Sequence, residues 1–148
     1  MKKYQISIKF GVLTAIILII YFVVLGLLGV NSNPFYSFMN ALITTSGLAL
    51  AIRELEQKST ERINYRQGFE VSFFTGIIAT ILFSIFFITY YVYVPGFSDE
   101  LLKNIGKYAN TGGIFITVAT MGALTSLVVS FALMQLHKNK LYKKQKHR

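Results

Sequence analysis

The sequence predicts an all-α integral membrane protein: a four-transmembrane-helix antiparallel bundle with both termini cytoplasmic and a short outer amphipathic helix between spans three and four. Three observations carry that reading. Of the 148 residues, 53% are hydrophobic and only 14% charged, a balance outside the range of soluble domains and inside the membrane class. The apolar residues gather in four segments, each near the roughly 20 residues a helix needs to cross lipid, which offers no partner to a bare backbone. The remaining charge, a net +9, lies almost wholly between those segments and at the chain ends.

The first segment, residues 10–30, follows the basic stretch MKKYQISIK. That stretch resembles the positive region of a signal peptide. The apolar run behind it is too long for a cleaved h-region and no clean small-x-small site follows, so it is read as a retained span. Asn31-Ser32-Asn33-Pro34 then makes a tight polar turn, since Asn tolerates unusual dihedrals and Pro suits a first helical turn. Span two, residues 34–52, should form a hairpin with span one. Beyond it, Glu54 and Lys58 stand four apart in the order that supports a helix projecting past the bilayer.

Span three covers residues 69–94 and span four residues 113–136, ahead of a basic cytoplasmic tail at 137–148. Between them Pro95-Gly96 opens FSDELLKNIGKYANTG, where Ser98 reads as an N-cap and Asp99 and Glu100 favour a first turn. Leu101, Leu102, Ile105 and Tyr108 then share the apolar face of a short outer helix, with a plain solvated loop as the alternative, and Gly112-Gly113 ends the element. Orientation follows from the basic residues, 13 of the 15 Lys and Arg lying at the N-terminus, the central connector and the tail. Only Lys103 and Lys107 are left for the other side, so the basic flanks are cytoplasmic. Tyr36, Tyr90, Tyr91, Tyr93 and Tyr108 cluster at the outer interface, and Tyr4, Tyr65 and Tyr142 at the inner one.

Small residues recur every fourth position: Ser37, Ala41, Thr45 and Ala49 in span two, and Ser72, Gly76, Thr80 and Ser84 in span three. Span four adds Ala119, Gly122, Ala123, Ser126 and Ser130. In lipid, small residues let helices approach closely, so these faces are expected to pack on one another. A polar lining for a solute path, built on Asn40, Thr44, Thr45 and Ser46, is the competing reading. The spans carry no ionisable residue at depth, where coupling or ligation would place one. Glu70 comes nearest, and it reads as a helix-start charge paired with Arg66. His137 and His147 lie in the basic end region, so no metal or cofactor is expected. With no nucleophile beside a base, no carboxylate pair and no cysteine, no enzyme is expected either.

The partners expected are membrane lipids and either a second copy of the chain or another membrane protein. Lys138, Lys140, Lys143, Lys144, Lys146 and Arg148 form a tail that anionic inner-leaflet lipid attracts, by about 1 kcal/mol per basic residue. Such a distribution is that of membrane flanks and excludes a nucleic-acid-binding face.

The order of an apolar hairpin, a basic connector leading into INYRQGFEVSFFTGIIATI, a short outer segment and a last span with a Lys-rich end resembles the domain of unknown function 4199 family. The likeness runs from about Lys9 to Lys138 and is strongest at Gly68-Phe69 and the span behind it. It implies a small four-span membrane protein of a kind found mostly in Bacteroidetes, with an outer segment shorter than in many members. It implies no catalytic or binding residue. The sequence therefore leads to a bacterial inner-membrane accessory or scaffold subunit without enzymatic activity. The alternative is a small oligomeric channel or transporter for a polar solute or ion.

Overall fold

The computed structural model describes residues 3–30, 34–59, 63–94, 96–99, 101 and 110–146, the side chains of 34, 35, 37 and 137–146 excepted. Among the described residues there are four long helices and no strand: α1 (Lys3–Leu27), α2 (Pro34–Lys58), α3 (Tyr65–Tyr93) and α4 (Thr111–Lys146). Three stretches are long and apolar enough to cross a membrane, namely Lys3–Leu27, Tyr65–Tyr93 and Thr111–Leu136.

Each helix end has a local cause. At the end of α1, Gly29 sits at φ 68, its N–H reaching the Gly26 carbonyl and the Val30 N–H the Leu25 carbonyl. This is the Schellman arrangement, which favours glycine because a Cβ crowds that conformation. At the start of α3 the Asn64 N–H donates to Gln67 Oε1 at 3.3 Å, one arm of a capping box. Asn110 caps α4, its Oδ1 accepting the Gly113 N–H at 2.6 Å. Gly112 and Gly113 are therefore the first turn of α4 and do not separate it from an outer element.

Two other boundaries move outward from the hydropathy limits. Helix α1 begins at Lys3 because Ile6 and Phe10 pack with Ala51, Leu55 and Val71 in a small core. Helix α4 runs on to Lys146, so the first ten residues of the predicted tail continue the span's helix. The outer segment turns helical at 96–99 and 101, ahead of Ser98, which is therefore not its N-cap. Leu102, Ile105 and Tyr108 lie outside the described residues, as does the Asn31–Asn33 turn.

Contacts along the helices fix their directions. Residues 9, 14 and 21 of α1 meet 54, 47 and 36 of α2, an antiparallel pairing. Residues 3, 7 and 22 of α1 meet 70, 71 and 87 of α3, a parallel one. Residues 68, 76 and 80 of α3 meet 134, 126 and 122 of α4, again antiparallel. Helix α3 packs closely on all three others, α2 and α4 meet sparsely, and among the described residues the backbones of α1 and α4 do not come close.

Candidate ligand cavity between the helices

Between the helices a cavity of about 350 Å³ remains, lined by all four of them. Helix α1 contributes Leu18, Phe22 and Leu25, and α3 contributes Thr80, Phe83 and Phe87. Helix α2 presents Asn40, Ala41 and Thr44 beside Tyr36, and α4 presents Thr117, Met121, Gly122 and Thr125 beside Val118. These positions recur at three- and four-residue spacing, so each helix gives the cavity one face.

The space is bounded on both sides by tighter packing. On the side of the charged helix ends, glycines let the backbones close up: a Cβ on Gly76 would overlap the Ser126 side chain and one on Gly47 the Thr14 hydroxyl. A Cβ on Gly68 would come within 2.5 Å of Met134 Sδ. On the opposite side Phe22 stands edge-on to Phe87 and Phe97, with ring centroids 5.4 and 5.6 Å away. Phe97, on the turn after α3, is only 5% exposed and reaches into this aromatic group instead of lying on the surface.

The polar groups of the cavity are neutral. Asn40 Oδ1 is buried and has no hydrogen-bond partner among the described residues. The Thr117 hydroxyl donates to the Gly113 carbonyl and the Thr125 hydroxyl to the Met121 carbonyl, both at 2.8 Å. Their protons are thus committed, and their oxygens remain free to accept. Thr44 is almost wholly buried. No charged side chain lines the cavity among the described residues.

The small-residue positions spread over several environments. Gly76 faces Ser126, and Gly122 faces Thr80, where a Cβ would lie 2.5 Å from Thr80 Cγ2. Ser72, Ser84, Ser126 and Ser130 are fully buried. Ser126 Oγ donates to the Gly122 carbonyl and Ser72 Oγ to the Phe69 carbonyl, while Ser84 Oγ and Ser130 Oγ have no partner among the described residues. Ala41, Thr45, Ala49, Ala119 and Ala123 are half-buried, and the covered line of α2 is instead Thr44, Leu48, Ala51 and Leu55. The side chain of Ser37 lies outside the described residues. Of the proposed solute lining, Asn40 and Thr44 reach the cavity, whereas the Thr45 and Ser46 hydroxyls bond back to the Ala41 and Leu42 carbonyls.

At the charged helix ends two carboxylates tie the bundle together. Arg66 Nε lies 2.8 Å from Glu70 Oε1, and Lys3 Nζ reaches Glu70 Oε2 at 3.5 Å from α1. Glu54 on α2 receives Lys58 at 2.6 Å and Lys9 of α1 at 3.1 Å. Hydrogen bonds from Lys58 and then Lys9 hold the Glu54 carboxyl below its ordinary value. Ser7 Oγ adds a buried bond from α1 to the Val71 carbonyl of α3 at 3.1 Å. Sequence reasoning gave Lys3 and Lys9 a role in orientation alone, and their cross-helix bridges went unseen. The signal available was that Glu54 and Glu70 stand at helix ends near the basic N-terminal stretch. The side chains of Lys138, Lys140, Lys143, Lys144 and Lys146, and all of Arg148, lie outside the described residues.

A family model described as "Protein of unknown function (DUF4199)" matches residues 9–135. No curated protein and no solved structure matches the chain.

Proposed function

The chain belongs to the DUF4199 family, and we propose that it is a four-span protein of the bacterial cytoplasmic membrane that serves, without enzymatic activity, as an accessory or scaffold subunit. The fourth span in this reading is α2. Its 25 residues rise about 37 Å, enough for a hydrocarbon core of about 30 Å, and it runs beside α1 from Lys9–Glu54 to Tyr21–Tyr36. Both termini are placed on the cytoplasmic side by the basic flanks, where the tail meets anionic lipid.

The observation that carries the accessory role is where the reactive groups go. Glu54 and Glu70, the acids packed between helices, are each held by two cations in a structural bridge. Meanwhile α1 and α4 turn long apolar faces outward, including Ile16, Ile20 and Val24 on one and Ile116, Leu124 and Val128 on the other. Those faces suit lipid and the helices of a neighbour, a second copy or another membrane protein. Gentle extraction of the tagged chain from its native membrane tests this. A membrane protein recovered in fixed ratio, or a defined homo-oligomer, is the expected result, and a lone monomer rejects the role.

A second reading, suggested by the neutral polar groups Asn40 and Thr44, is a small oligomeric channel or transporter for a polar solute or ion. Asn40 and Thr44 lie inside one protomer, so a path between protomers would have to use other residues. Proteoliposomes impermeable to common ions and polar metabolites would remove this reading.

A further inference from the structure

We propose that the cavity is a binding site for a neutral lipid alcohol, a molecule with a free hydroxyl at one end and an apolar chain behind it. The proposal goes beyond the accessory role and does not depend on it. Charge is decided first. With no ionic side chain among the described residues of its wall, the cavity could hold a carboxylate, phosphate or ammonium only at the cost of an uncompensated charge in a low-dielectric interior. The ligand is therefore neutral.

Its polar end is decided by what the wall lacks. Asn40 Oδ1 is a buried acceptor without a donor among the described residues, a state that is costly unless something supplies the missing hydrogen bond. The Thr117 and Thr125 oxygens have spent their protons on their own helices and add two more acceptors. A hydroxyl meets this demand, and an ester or ether oxygen does not. Much of the remaining wall is apolar, Leu18, Leu25, Phe83 and Met121 among it, which suits methylenes. About 350 Å³ takes the hydroxyl end and the first part of a chain, in the range of small-molecule pockets.

Access is decided by the packing. Helices α2 and α4 both line the cavity and meet only sparsely, so a chain extends between them into the bilayer. The Phe22, Phe87 and Phe97 group crosses the cavity's other exit. A site entered from lipid selects an amphiphile that is already dissolved there.

Glycerolipids with a free hydroxyl and isoprenoid alcohols share this chemistry, and the test separates them. The full-length protein in detergent is titrated with mono-oleoylglycerol, with farnesol, and with methyl oleate, which keeps the oleoyl chain and lacks the hydroxyl. Native mass spectrometry reads the bound fraction and thermal unfolding the stabilisation. Binding of either alcohol with a raised unfolding temperature, and weak binding of methyl oleate, is expected, and the better alcohol identifies the source. Asn40→Leu should weaken that binding by about tenfold, the effect of one lost hydrogen bond, while the ligand-free variant unfolds no earlier than the parent. Thr125→Val, which removes one acceptor without adding volume, should weaken it in the same direction. Equal binding of methyl oleate, binding unchanged in both variants, or no binding of either alcohol because water alone fills the space would each overturn the proposal.

Discussion

Glu54 shows how a single side chain can join two helices and also respond to pH. Its carboxyl accepts from Lys58 on its own helix and from Lys9 across the α1–α2 interface, and both hydrogen bonds favour the ionised form. Because the folded value is depressed, the stabilisation is present above the ordinary carboxylate value of 4.5 and is lost as pH falls through and below it. Thermal unfolding followed from neutral to acidic pH should therefore show a decline that Glu54→Gln reduces. An equal decline in the variant would mean that the bridge contributes nothing. The bridge was half legible in the sequence. Glu54 and Lys58 stand four apart and announce themselves, whereas Lys9 is 45 positions away and only the fold brings it near.

At the level of the helix, the α3–α4 contact rests on exchanged small residues, Gly76 against Ser126 and Gly122 against Thr80. Gly76→Leu should lower the unfolding temperature and cost about 2 kcal/mol or more, since an inserted side chain meets Ser126 with no room to turn. Ala132→Leu, at an exposed position on α4, serves as the comparison. Equal unfolding temperatures for the two variants would show that the close approach does not matter. Period-four spacing made the α3 face readable. It could not rank α2, where Gly47 rather than the predicted stripe meets Thr14, because a single glycine among Ser, Thr and Ala leaves no periodic trace. Helix limits were misread for a related reason. Hydropathy ignores Lys3 and Asn110, yet bridging and capping by those residues carry α1 and α4 beyond their apolar cores.

Over the whole chain, the number and rough position of the long helices were readable from apolar runs, and three of the four are long and apolar enough to cross a membrane. Their arrangement was not. A regular ring of four is the simplest bundle, but α3 lies against every other helix and, among the described residues, the backbones of α1 and α4 stay apart, and that depends on side-chain fit that hydropathy does not record. The cavity was hidden for the same reason, since Asn40 and Thr44 look no different from Thr45 and Ser46 until the helices are placed. Reporter fusions at Ser98 and after Arg148 should read external and cytoplasmic, respectively, and the reverse would overturn the orientation drawn from the basic flanks.

The unequal attachment of α4 bears on how the protein is made. Helices α1, α2 and α3 contact one another pairwise and share Ile6, Ala51, Leu55 and Val71 in one core, all of it encoded before residue 111 is translated. A three-helix intermediate can thus assemble while the ribosome is still working. Helix α4 then packs on α3, and the space beside Asn40 is walled on its final side only after Thr117 to Thr125 have been added.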